Sequence, residues 1–149
     1  MIKYILPLLL ISILTLNSCG DDEQYDKEIG YEQAMLNYME AQGWDGMGII
    51  DGMYVVIDEP GDEEKPTASD LITAKYRGYY TDGEEFDSGD DFQFRLNTVI
   101  EGWSLGIPKF GRGGKGHLLI PPHLGYGENP SNSIRPNSVL IFDIEIKSF

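Results

Sequence analysis

The chain has 149 residues, 25 acidic and 11 basic side chains and a formal charge of −14, with 41% hydrophobic and 24% charged residues. That length suits one ordinary domain with extensions, and the apolar share is enough to bury a core, so disorder throughout is excluded. The acidity argues against nucleic acid, whose phosphates need a basic face, and a single cysteine forbids an internal disulfide.

Residues 1–18 read as a signal peptide. Lys3 gives a short positive start, and residues 4–16 form an almost wholly apolar run of 13 residues. A helix needs roughly 20 such residues to cross a bilayer, so the run fits the hydrophobic region of a secretory signal instead. Leu16-Asn17-Ser18-Cys19 resembles a bacterial lipobox, in which cleavage leaves the cysteine as a lipidated N-terminus. The resemblance implies lipidation at Cys19 and attachment to a membrane through the lipid. It implies a place in the cell envelope, on the periplasmic face of a membrane or the outer-membrane surface. An ordinary secreted protein with a chance cysteine, or a short anchor helix, are the alternatives.

Residues 19–47 read as an acidic tether carrying a helix. From Asp21 to Glu64 there are 14 acidic residues and one base, whereas Lys65 to Phe149 carries 11 acidic and 9 basic residues. The acidity thus belongs to the leader. Gly20-Asp21-Asp22-Glu23 is most simply a solvated spacer that anionic headgroups repel, and it also resembles the acidic tracts that mark some bacterial lipoproteins for surface export. The spacing of Tyr31, Met35, Tyr38, Met39 and Gln42 predicts a helix over 28–42, with Gly43 as its stop. Such a stripe is a docking face against the parent domain, with dimerisation as the alternative.

After a charged loop over 59–66, bracketed by two prolines, strand signals dominate. Strands are expected at 53–57, 71–80, 92–96, 115–120 and 139–147. In the second, Ile72, Ala74, Tyr76, Gly78 and Tyr80 share one face; in the last, Leu140, Phe142, Ile144 and Ile146 do. Residues 99–107 read as a short helix ended by Pro108. The fold class expected is α+β: a curved antiparallel sheet of about five strands wrapped around one short helix, with an N-terminal helical extension.

Reactive chemistry is scarce. His117 and His123 lack a zinc-like spacing, so no metal site is expected, and no cofactor. Gly111-Arg112-Gly113-Gly114-Lys115-Gly116 superficially resembles a phosphate loop, but Gly116 stands where a hydroxyl would hold magnesium; a tight turn is the better reading. The acids of Asp82-Gly83-Glu84-Glu85 and Asp87-Ser88-Gly89-Asp90-Asp91 read as turn residues and a solvated edge.

What remains is a concentration of aromatics beside small residues. Tyr76-Arg77-Gly78-Tyr79-Tyr80, Asp82-Gly83-Glu84-Glu85-Phe86-Asp87-Ser88, Val99-Ile100-Glu101-Gly102-Trp103, Ile120-Pro121-Pro122-His123-Leu124-Gly125-Tyr126-Gly127 and Leu140-Ile141-Phe142-Asp143-Ile144-Glu145 resemble the FKBP-type peptidyl-prolyl isomerases, in that family's order, across residues 48–149. The resemblance implies a pocket floored by Trp103 and walled by Tyr76, Phe86, Phe92, Val99, Ile100, Ile134 and Phe142. Asp87 and Tyr126 match its polar rim, and the Ile100 amide matches a donor to bound carbonyls. It implies catalysis by Asp87, Tyr126, Phe142 and Trp103, and binding of proline-containing polypeptides and macrolide inhibitors.

Three departures from the family stand out, one of them the polar loop 127–133 between Tyr126 and Ile134. Four residues separate Asp87 from Phe92, none of them arginine, so no basic neighbour for Asp87 is evident. The family's usual Ile-Pro is Ile134-Arg135 here, which is expected to set a cation beside the entrance. The function implied is cis–trans isomerisation of Xaa–Pro bonds in extracytoplasmic proteins by an apolar pocket that binds the twisted amide. The alternative is a catalytically weak binding or chaperone module of the same fold in envelope assembly.

Overall fold

The computed structural model describes residues 21–48, 51–131 and 133–149. The signal segment and Cys19 lie outside the described residues. Helix α1 (Asp21–Gln42) is followed by β1 (Met47–Gly48), β2 (Tyr54–Glu59), β3 (Ile72–Tyr80), β4 (Glu85–Phe94), helix α2 (Glu101–Gly106), β5 (Lys115–Ile120) and β6 (Leu140–Ser148). The six strands form one antiparallel sheet in the order β1-β2-β5-β6-β3-β4.

Strand alternation separates two apolar layers, as the period of two requires. Ile72, Ala74, Tyr76, Leu118, Ile120, Leu140, Phe142, Ile144 and Ile146 face inward and pack with Trp103 and Ile107 from the α2 segment. The opposite parity of the same strands presents Val56, Tyr79, Leu119 and Ile141 outward, where Met35 and Met39 of α1 cover them. Both methionines are buried, and complete burial of such a side chain contributes about 1.5–3 kcal/mol. The Met and Tyr stripe is therefore a docking face against the parent sheet, while Gln42 is exposed. Gly43 ends the helix at φ +69°, the left-handed conformation that favours glycine, with its amide on the Glu40 carbonyl and the Trp44 amide on the Met39 carbonyl.

Several element bounds differ from the sequence expectation. The helix reaches back to Asp21. Leu96 opens a 3-10 turn, and of the expected strand over 92–96 only 92–94 are strand, the end of the ten-residue β4 that begins at Glu85. Its acids oppose strand propensity, but pairing along β3 and the cross-strand ion pairs Lys75–Asp90 and Lys147–Asp91, both 2.8 Å, hold it as an edge strand. The short helix spans only Glu101–Gly106, and Pro108 does not terminate it: Ile107–Lys109 continues as a 3-10 turn with the proline in its first positions.

The glycine-rich segment 111–116 is a turn that runs into β5, and its Gly111 and Gly113 amides are committed. Gly111 donates to the Pro60 carbonyl at 2.8 Å and Gly113 to the Ile146 carbonyl at 2.7 Å. These donors are taken by the chain itself, against a phosphate-cradling role.

Candidate functional site

On the inner side of the sheet, between α2 and strands β3, β4 and β6, lies a cavity of about 400 Å³ lined by Tyr76, Asp87, Phe92, Thr98, Val99, Ile100, Trp103, Tyr126 and Phe142. A hollow of about 470 Å³ between α1 and the turns at Asp51 and His123 is slightly larger, but it has no comparable concentration of rings.

Trp103 sits on the first turn of α2. Ile100 caps that helix with an extended backbone, its carbonyl accepting from the Trp103 and Ser104 amides at 3.0 and 3.2 Å. The Ser104 hydroxyl donates to the Leu96 carbonyl at 2.5 Å, tying the preceding 3-10 turn (Leu96–Thr98) to the helix. Among the described residues nothing accepts from the Ile100 amide.

Four aromatic neighbours surround the indole. Centroid distances from Trp103 are 5.2 Å to Tyr76, 5.2 Å to Phe142, 5.0 Å to Phe94 and 6.3 Å to Phe92, all edge to face. This arrangement suits ring quadrupoles and fixes the indole plane. The Trp103 indole N–H is buried without an acceptor among the described residues. The floor is thus an aromatic surface held by edge-to-face packing.

One side of the cavity is polar. Asp87 lies opposite Gly78 in the β3–β4 pairing; its Oδ2 accepts from the Tyr76 hydroxyl at 2.7 Å and its Oδ1 from the Ser88 amide at 2.9 Å. Burial first, and then the bond to Asp87, pushes the Tyr76 phenol well above its ordinary range. Burial and the Asp87 charge raise Tyr126 as well. Both phenols are therefore neutral donors at physiological pH. The Tyr126 hydroxyl has no hydrogen-bond acceptor among the described residues. Among the described residues Asp87 has no ion pair: Arg77 pairs with Glu85 at 2.9 Å and reaches toward Asp143 at 3.8 Å. Its partners are a phenol and an amide.

Eight of the ten residues assigned to the site in the sequence line this cavity; two do not. Phe86 stands behind Phe142, edge to face at 5.5 Å, and Ile134 is buried in the core layer beneath. Both back the wall. Gly78 makes this possible, because a Cβ there would lie 2.7 Å from two Phe86 ring atoms and 2.8 Å from Phe142. Thr98 lines the cavity and was not anticipated, since a threonine in a turn carries no pattern of its own. Arg135 is not at the entrance. Its guanidinium lies over the Tyr80 ring at 4.3 Å and pairs with Asp82 at 2.6 Å and with Glu84.

A family model described as FKBP-type peptidyl-prolyl cis-trans isomerase matches residues 62–147. An Escherichia coli (strain K12) protein named FKBP-type peptidyl-prolyl cis-trans isomerase FkpA is 41% identical over 99 residues, which are 64% of this chain and 37% of that protein. A probable FKBP-type peptidyl-prolyl cis-trans isomerase of Haemophilus influenzae is 37% identical over 111 residues, 71% of this chain and 46% of its own length. The chain thus spans less than half the length of these curated relatives. The crystal structure of FkpA from Escherichia coli superposes with a TM-score of 0.73 at 33% identity, covering 86% of this chain and 61% of that one. A peptidyl-prolyl cis-trans isomerase structure from Pseudomonas syringae pv. tomato gives 0.68 at 28% identity, over 80% of this chain and 92% of that one.

Proposed function

The chain belongs to the FKBP-type peptidyl-prolyl cis-trans isomerases, and from that membership we propose that it catalyses rotation about Xaa–Pro bonds of polypeptides outside the cytoplasm. The observation that carries this reading is the aromatic cavity with Trp103 at its floor and its polar groups gathered on one side.

Trans is favoured at an Xaa–Pro bond by only about 0.5–1 kcal/mol, yet interconversion takes tens to hundreds of seconds. The barrier of roughly 18–20 kcal/mol is the amide resonance lost as the bond twists. No nucleophile is needed to lower it. A twisted amide has a less polar carbonyl and a pyramidal nitrogen, so an apolar pocket accommodates it better than the planar form.

In this reading the proline ring rests on Trp103 between Tyr76 and Phe142. The Ile100 amide and Tyr126 hydroxyl hold flanking carbonyls, and Asp87 fixes Tyr76 and faces the carbonyl that rotates. A rate gain of about 10⁴ requires about 5.5 kcal/mol of preferential transition-state binding. Desolvation with one or two preorganised hydrogen bonds supplies an effect of that size. A macrolide filling the same cavity inhibits.

The location rests on the sequence of residues 1–20: a lipid on Cys19 anchors the chain to an envelope membrane, and the acidic leader holds the catalytic domain, residues 48–149, away from it. Metabolic labelling with a radioactive fatty acid, lost in Cys19→Ala, tests the anchor. For the activity, a protease-coupled assay on a proline tetrapeptide is decisive: acceleration abolished by a macrolide supports catalysis. Macrolide binding with a background rate leaves only a binding module.

A further inference from the structure

The residue that replaces the family's usual proline has a role in the fold that the isomerase reading leaves unused. The segment after Tyr126 is a loop closed at its base by the Asn137 amide on the Gly127 carbonyl at 2.9 Å. Arg135 joins this loop to the β3–β4 hairpin by four contacts. Its backbone amide donates to the Tyr80 hydroxyl at 2.9 Å, and its guanidinium stacks on the Tyr80 ring at 4.3 Å. One guanidinium nitrogen donates to Asp82 at 2.6 Å and the other to Glu84. A planar fork over a ring with two carboxylates is a geometry that lysine does not reproduce.

The contacts run on toward the cavity. Tyr80 packs on Phe86 at 5.0 Å, and Phe86 meets Phe142 edge to face at 5.5 Å. Residue 134, next to the clamp, is buried in the same core layer, so the loop is held inward by one side chain and outward by the next. The hydrogen bond from Arg135 also holds the Asp82 carboxyl below its usual range.

We infer that Arg135 is a positioning residue for the isomerase site: its clamp on Asp82, Glu84 and Tyr80 holds the loop that follows Tyr126 against the hairpin that carries Asp87. Arg135 touches no cavity group itself. Its loss frees the loop and with it the adjoining Tyr126 of the cavity, which the peptide must then order; ground state and transition state are weakened alike, so KM rises while kcat stays.

The inference rests on the isomerase reading, so its test has one readout that does not. Amide hydrogen exchange over residues 127–138 and the coupled isomerase assay are measured on the chain and on Arg135→Met, Arg135→Lys and the double variant Asp82→Asn/Glu84→Gln. Expected in Arg135→Met and the double variant are faster exchange in the loop and a KM raised about fivefold, the size of an exposed ionic contact, with kcat and melting temperature near those of the parent. Arg135→Lys falls between. Salt at 1 M moves the parent toward the variants and leaves Arg135→Met unmoved, because screening acts only on the intact pairs. Unchanged loop exchange in Arg135→Met overturns the clamp whatever the activity. Faster exchange with an unmoved KM overturns its part in positioning. A parent chain without turnover defeats the isomerase reading, and loop exchange still decides whether the clamp exists.

Discussion

The Tyr76 hydroxyl donates to Oδ2 of Asp87 across 2.7 Å, joining β3 to β4 beside the aromatic floor. Burial pushes the Tyr76 phenol up, so the donor keeps its proton, and its ring stands edge-on to Trp103 at 5.2 Å. Carboxylate, phenol and indole are thus one mechanical unit.

From this unit a non-additive pair follows. A hydrogen bond to a carboxylate is worth about 1.5–3 kcal/mol, so Asp87→Ala or Tyr76→Phe each lowers kcat/KM by about 10- to 150-fold. The double variant falls well short of the product of the two losses, because the contact they share can be lost only once. The coupled assay measures all three, and full additivity would separate the residues' roles.

Gly78→Ala acts through packing. The added Cβ would press on Phe86 and Phe142 at 2.7 and 2.8 Å, displacing the wall ring from its place against Trp103. Overpacking of this kind costs about 1–3 kcal/mol, read by urea unfolding, and turnover falls with it. A stable variant of full activity would show that the Phe142 position is not constrained from behind.

The outer face separates stability from catalysis. Met35→Ala opens a cavity between α1 and the sheet and lowers unfolding stability by about 2–4 kcal/mol. The isomerase site lies on the opposite face, so kcat/KM is unchanged under folding conditions. A parallel loss of activity would mean that α1 communicates with the cavity.

Acid stability draws on the same outer face. Asp143 accepts from Tyr79 at 2.8 Å and lies 2.8 Å from His117 Nδ1, while His117 stacks under Trp44 at 3.7 Å. Burial alone would raise the Asp143 pKa; the His117 and Tyr79 contacts and the nearby Arg77 outweigh it, and the net shift is below the ordinary 3.8. A carboxyl lowered in the folded state adds stability above its unfolded value, and that stability is lost as pH falls through the folded one. Thermal midpoints between about pH 6 and pH 2.5 therefore drop more steeply for the parent than for Asp143→Asn. Equal slopes would contradict the pairing.

The sequence made the inner layer readable because its signals are local. Alternation in residues 72–80 and 140–146 and the segment 115–120, which ends in Leu118-Leu119-Ile120, each pointed to a strand without reference to the others. The start of β4 was hidden, since Asp87, Gly89, Asp90 and Asp91 belong to turns by composition and are strand residues only because β3 lies alongside. Likewise, the sequence pointed to Phe142 and Trp103 through an ordered set of motifs, but not to their arrangement. Whether Phe86 lines the cavity or stands behind it depends on the contact over Gly78. Arg135 was misplaced for the same reason: its direction is decided by Asp82, Glu84 and Tyr80, which lie more than 50 positions earlier in the chain.

The central claim is that the Trp103 cavity lowers the barrier to rotation of a bound prolyl amide rather than only holding it. Exchange NMR on a proline peptide at equilibrium, with the protein at a small fraction of the peptide concentration, addresses this without a coupling protease. Cis–trans exchange accelerated well beyond the uncatalysed tens to hundreds of seconds, and returned to it by a macrolide in the cavity, is the outcome expected. Peptide signals that shift on binding while the exchange rate stays at the uncatalysed value would contradict it.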